Sequence, residues 1–254
     1  MEQQELDRAR SRRWQLLGAS LMLLVVLAGL VIALGGFGDG EPQGTESRNG
    51  VRGAKETAAL LRGVPQRGVA LGRPDAPAAV QIYADLHCPH CRSAMTGDEL
   101  RRLIDDLVRP GKATLELRLH PLEQFGANSA AGRNAVYALA DRGLAWNLAL
   151  MLYFNQGAPG SGWIDADLLR RIAEVGPGLR GLALEPRETA TGRRLAAEAD
   201  ALWKRLDLGG TPSYVVRARD GSAERKIGGS SIGGPVDEIE DAVDEVSSRG
   251  AAAR

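Results

Sequence analysis

Apolar and polar positions change rhythm along this chain, and each rhythm predicts an element. Leu16 to Leu34 is nineteen almost wholly apolar residues inside a charge-free run from Trp14 to Gly38. That is the length of a helix crossing a hydrocarbon core. Residues 37–54 have no period and are rich in Gly, Glu and other polar residues, which reads as a flexible linker. A short helix is expected over Lys55–Leu61. Val80–Ala84 alternates as a strand does, after a turn at Pro74-Asp75-Ala76-Pro77. Asp98–Val108 places Leu100, Leu103, Ile104 and Leu107 on one helical face, and Pro110-Gly111 stops it. Ala113–Leu119 alternates again, with Leu115, Leu117 and Leu119 on one side. From about Asn128 to Leu206 the spacing is helical, with candidate helices Ser129–Asp141, Leu144–Asn155, Asp165–Glu174 and Arg187–Leu206 between Gly and Pro breaks. Strands are expected at Ser213–Arg217 and around Ala223–Ile227, joined at Asp220-Gly221 as a hairpin. Pro235–Val246 is a closing helix with Val236, Ile239, Val243 and Val246 on its apolar face, and residues 248–254 are expected to be a disordered tail.

Charge decides which side of a membrane this pattern belongs to. Arg8, Arg10, Arg12 and Arg13 precede the apolar run, and such residues stay in the cytoplasm. Residues 1–13 are therefore expected to be a cytoplasmic N-terminus, 14–36 a transmembrane signal anchor, and the rest extracytoplasmic. A cleaved signal would have a shorter apolar region and a small-x-small site, of which Ala33-Leu34-Gly35 is a poor version. The formal net charge is +0 and no basic patch dominates, which removes the footprint of a nucleic-acid binder. The exported part is about two hundred residues, enough for one large domain.

The chain has two cysteines, both in His87-Cys88-Pro89-His90-Cys91. With no other thiol present, each has only the other as an intramolecular partner. Cys-x-x-Cys suits either a disulfide closed over a helix's first turn or a pair of metal ligands. Outside the cytoplasm disulfides persist, which favours redox chemistry. If Cys88 caps the following helix, free backbone N–H groups and the dipole lower its pKa. Pro89 suits the first helical position, and His90 offers a hydrogen bond or a positive charge. Cys91, one turn in, is expected to be more buried and to act as the resolving thiol. Stabilising the thiolate stabilises the reduced protein and makes the disulfide a stronger oxidant. Gly210-Thr211-Pro212-Ser213 opens a strand where the missing N–H of proline is tolerated.

A strand leading into Asp85-Leu86-His87-Cys88-Pro89-His90-Cys91, a helical stretch, then Gly-Thr-Pro before a hairpin and a closing helix resembles the DsbA-like thiol-disulfide oxidoreductases of the thioredoxin superfamily. The resemblance runs from about Gly63 to Val246. It includes Pro65 to Gly72, Trp146 and Leu152-Tyr153-Phe154-Asn155-Gln156. It implies an α/β thioredoxin fold over residues 55–247 with a helical subdomain inserted at about 122–206, preceded by the single transmembrane helix. It implies Cys88 as the attacking sulfur, Cys91 as the resolving one, and cis-Pro212 facing them, with Thr211 offering its backbone to a peptide. It implies unfolded or reduced exported proteins as partners in a bacterial cell envelope, and reoxidation by a membrane quinone-linked oxidase. No cofactor motif is present. Some relatives carry a buried acid six positions before the first cysteine; here that position is Ile82. Asp85 either partly replaces it or is a solvated strand end.

Two other readings stand beside this one. Cys88, Cys91 and the three histidines, His87, His90 and His120, could bind Cu(I) or Zn(II) in a metal chaperone, although the second ligand pair of a closed site is missing. A reductase of the same fold is the other. The bland readings are a solvated residue beside the site for His87 and a strand-end residue for His120.

Overall fold

The computed structural model describes residues 44–47, 49–228 and 235–252. The expected cytoplasmic segment 1–13 and anchor 14–36 lie outside the described residues. Among those described, no helix is long and apolar enough to cross a membrane.

One six-stranded sheet organises the described chain. The strands are β1 (Gln66–Arg67), β2 (Ala70–Leu71), β3 (Ala78–Ala84), β4 (Ala113–Leu119), β5 (Ser213–Ala218) and β6 (Glu224–Gly228), in the order β1-β2-β4-β3-β5-β6. Only β3 and β4 run parallel; their crossover carries the cysteines. β5 pairs antiparallel with both β3 and β6, so the hairpin read from Asp220-Gly221 forms as expected. β4 alternates, with Leu115, Leu117 and Leu119 all buried, as a strand must when its two faces differ. β3 sits at the middle of the sheet and is buried at nearly every position. Val80, Ile82 and Ala84 face the main core, while Tyr83 faces a small cluster with Leu208 and Val215.

Helices cover both faces. α1 (Ala54–Leu61), α2 (Pro89–Thr96), α3 (Asp98–Arg102), α4 (Ala127–Tyr137), α5 (Ala145–Phe154), α6 (Ala166–Val175), α7 (Ala190–Arg205) and α8 (Val236–Ala252) follow in chain order. α4 to α7 lie between β4 and β5 and form the inserted helical layer. α5 is buried on all sides and packs against α1, α2 and α4. Trp146 ties it to the small hairpin, its Nε1 donating to the Val69 carbonyl at 2.8 Å.

Four expectations change. The helix read over Asp98–Val108 is a short α-helix that passes into a π-helix at Leu103–Val108; its apolar face is buried as predicted. The β1–β2 hairpin was not anticipated, because two-residue strands carry no period. The linker expected over 37–54 is ordered structure where it is described: Val51 is fully buried, and a bridge pairs Glu46 with Arg52. Arg52 exchanges backbone bonds with the Asn155 side chain, at 2.9 and 3.0 Å. Gly53 makes this docking possible. It has φ 82°, and a Cβ there would lie 2.1 Å from the Phe154 ring. At the other end α8 continues through Ala252 rather than fraying at 248, helped by an Arg249–Glu245 ion pair of 2.7 Å on successive turns.

Candidate active site

β3 ends at Ala84, and the chain turns at Asp85-Leu86-His87 before α2 begins. Cys88 is the residue that caps α2, with extended backbone (φ −77°, ψ 120°) and Pro89 next in the first helical position. Its sulfur accepts the Cys91 N–H at 3.5 Å, one of the donors a helix start leaves without a partner. Both cysteines are free thiols. The Cys88 thiol donates to the Thr211 carbonyl at 3.2 Å, and the Thr211–Pro212 peptide is cis. Thr211, Pro212, Cys88 and Cys91 thus meet at one place, although the sequence separates them by more than a hundred residues.

The two sulfurs are electrically unlike. The Cys91 thiol leads the shift that brings Cys88 down to about 6, against burial, which pushes it up. The Thr211 side chain and the N–H groups of Cys91 and His90 add to the pull. Cys91 is completely buried, and burial drives its thiol well above the ordinary range, with Cys88 adding to the rise. His90 supplies the first sulfur with its backbone N–H, while its side chain lies on the exposed surface.

The other singled-out residues have structural partners. His87 is not solvated; it is fully buried. Its Nδ1 accepts the Gly160 N–H and the Trp163 indole N–H, each at 3.2 Å. That leaves Nε2 to carry the proton and donate to Asn128 Oδ1 at 3.0 Å. Burial lowers its pKa. Asp85 is not a solvated strand end either. Its carboxylate accepts from His87 N–H at 2.7 Å, Ser129 hydroxyl at 2.7 Å and Leu122 N–H at 2.6 Å. His120 stacks on Trp203 at 4.3 Å and bonds Asp200 at 2.8 Å. Two of the three histidines are thus committed elsewhere, and among the described residues no group of three or more His, Cys, Asp and Glu gathers as a metal would need.

Sequence reasoning gave no role to three further groups. The Gln156 side-chain amide donates to the Leu86 carbonyl at 2.6 Å and the Cys88 carbonyl at 3.1 Å, clamping the dithiol turn to the inserted layer. Tyr214, the register partner of Ile82, donates its hydroxyl to Glu99, whose carboxyl burial pushes up. Tyr153 is buried with its hydroxyl unpartnered. Tyr153 and Gln156 stand in the Leu152–Gln156 stretch that carries the resemblance, but that stretch named no task for either.

Fold and site together define a thioredoxin-like α/β protein with a helical insertion and a helix-capping dithiol. The family model described as Thioredoxin matches residues 65–176. Among solved structures, a thioredoxin-like oxidoreductase from Silicibacter pomeroyi is 26% identical, with TM-score 0.51, covering 74% of this chain and 95% of that one. Wolbachia pipientis alpha-DsbA1 is 18% identical with TM-score 0.55 over 78% and 98% of the two chains. Oxidised BdbD from Bacillus subtilis is 16% identical with TM-score 0.54 over 73% and 97%. No curated protein matches the sequence. What these likenesses show for this chain is a thioredoxin-like α/β fold with a helical insertion.

Proposed function

We propose that this chain is an exported, membrane-anchored thiol-disulfide oxidoreductase that donates its Cys88–Cys91 disulfide to thiols of secreted proteins. The observation that carries the reading is the contrast between the two sulfurs: Cys88 is pulled down to about 6 at a helix cap, while Cys91 is held protonated in the core. A low pKa at Cys88, the leaving group of the second step, favours the reduced protein, hence an oxidising disulfide. In the forward step a client thiolate attacks the Cys88 sulfur. The Cys88–Cys91 bond breaks, and Cys91 departs with the electron pair. A second client thiolate then attacks the client's own sulfur in the mixed disulfide, and Cys88 leaves as a thiolate. The client has lost two electrons, and the dithiol holds them. Reoxidation falls to a membrane quinone-linked oxidase, and residues 14–36 hold the domain at the extracytoplasmic face.

The reduction potential in glutathione buffers tests the direction. The expected value lies well above that of thioredoxin, about −270 mV; a value at or below it makes this a reductase. Cys88→Ser abolishes exchange, and Cys91→Ala accumulates client proteins as mixed disulfides. An empty Cys91→Ala trap would sink the mechanism.

A further inference from the structure

His87 lies one residue ahead of Cys88 and is fully buried, and both nitrogens of its ring are in use. Nδ1 accepts two donors, the Gly160 N–H and the Trp163 indole N–H, each at 3.2 Å. Nε2 pairs with Asn128 Oδ1 at 3.0 Å, and the same oxygen accepts the Ile164 N–H at 3.1 Å. Trp163 leans on the imidazole at 5.1 Å, and Phe125 stacks on it at 6.2 Å. One side chain of the dithiol turn thus holds down a stretch of the inserted layer, residues 157–163.

That stretch starts at the dithiol. It leaves the end of α5 at Gln156, whose amide lies 3.1 Å from the Cys88 carbonyl. Its two ends close on each other: a Cβ at Gly157 would lie 2.5 Å from the Trp163 side chain. Its middle turns on itself, with Ser161 donating its N–H and its hydroxyl to the Ala158 carbonyl at 3.1 and 2.8 Å. The tip, Gly160, is fixed by the His87 ring. Residues 158–162 are exposed, and none of residues 157–164 carries a charge. Half-buried Phe125 and Trp163 add aromatic edges. In a chain that is 25% charged, an exposed uncharged stretch joined to a reactive turn suits an apolar partner.

We propose that His87 is a positioning residue for client recognition: its Nδ1 fixes residues 157–163 as an uncharged wall of the client site, against which apolar residues flanking the client cysteine pack. The inference rests on reading the pair as an exchange site. With both nitrogens bonded to the inserted layer, the ring acts through that layer and not on the sulfurs. Two donors share Nδ1, so the ring works in its neutral form, with the proton on Nε2. The wall makes and breaks no covalent bond; it sets how much client is needed to fill the site and leaves the exchange to Cys88 and Cys91.

The test mixes the oxidised full chain with rising concentrations of a reduced two-cysteine peptide carrying leucine and phenylalanine beside its first cysteine. A second peptide carries lysines there. Acid quench and mass spectrometry follow the mixed disulfide and the oxidised peptide, and give a limiting rate and a half-saturating concentration. The native chain should favour the apolar peptide. His87→Phe keeps a buried ring and removes the acceptor. It is expected to speed amide exchange in residues 157–163 and to raise half-saturation by the apolar peptide about tenfold, with the limiting rate within about twofold. His87→Asn returns a side-chain oxygen to accept where Nδ1 did, and should restore both. A merely structural histidine would lower the urea midpoint and leave half-saturation in place. Ala158→Asp charges the exposed wall without touching the ring, so it should weaken saturation by the apolar peptide and strengthen that by the lysine peptide. A folded His87→Phe with native half-saturation, or with its loss in the limiting rate instead, overturns the inference and leaves the exchange reading standing. So does a His87→Asn no better than His87→Phe, an Ala158→Asp that saturates as the native chain does, or a native chain that takes both peptides alike. A native chain that forms a mixed disulfide with neither peptide overturns both readings.

Discussion

At the scale of the residue, position along one helical turn decides what a thiol is. Cys88 lies outside the first turn of α2, where backbone donors point outward; Cys91 lies inside it, against the core. The donors that hold the Cys88 thiolate are mostly not side chains of the Pro89-His90 dipeptide. His90→Ser keeps the N–H that the sulfur uses. Its Cys88 should therefore still titrate well below an ordinary thiol, and thiolate absorbance near 240 nm would read this directly. A return to the ordinary thiol range would place the ring, not the main chain, in control. The cap position of Cys88 and the burial of Cys91 were legible from sequence, because helix-cap chemistry is local. The burial of His87 and Asp85 was not. Both are polar, and their partners, Asn128, Gly160, Trp163, Leu122 and Ser129, come from a helical layer whose docking no local pattern records.

At the scale of the element, α5 is the piece on which the site depends. A period of 3.6 announced it within one or two residues at each end. The role of Gln156, just past its last turn, was silent, since this side chain acts on residues seventy and sixty-eight positions away. Gln156→Leu keeps the volume and removes the clamp. Leu86 loses its side-chain donor, whereas Cys88 still accepts the Arg92 N–H. The expected cost is about 1–3 kcal/mol for a buried acceptor left bare, read from urea unfolding, with faster amide exchange confined to residues 85–91. Unchanged exchange there would mean that the turn holds itself. β3, β4 and the β5–β6 hairpin were read correctly because alternation survives in strands of five residues or more. β1 and β2 are too short to alternate, and the π-helix hides inside an apolar spacing that an α-helix would share.

At the scale of the whole molecule, titration links redox state to stability. Cys88 is an acid whose folded pKa is depressed to about 6. Its stabilising contribution to the reduced form is therefore complete above the unfolded thiol value of about 8.5 and is lost as pH falls through about 6. Cys91 has the opposite shift, so its contribution fades only above the unfolded thiol value. His87 is a base with a depressed pKa: the unfolded chain takes up its proton first, and both redox forms lose stability as pH drops below about 6.5. Urea midpoints of the two forms should consequently lie apart near pH 8, reduced above oxidised, and converge toward about pH 5, where the Cys88 contribution has been lost. Parallel curves across that range would remove the thiolate from the account. His87→Asn should flatten the acid limb of both.

The docking of Arg52 on Asn155 has a mechanical side. Asn155 and Gln156 are adjacent, one latched to the backbone of the segment that leads toward the N-terminus, the other to the carbonyls of the dithiol turn. The described start of the domain is therefore stitched twice, Thr45 to Gly53 and Glu56 at the head of α1 and Arg52 to the end of α5. Through the adjacent pair Asn155 and Gln156, the second stitch shares its anchor with the turn that carries Cys88.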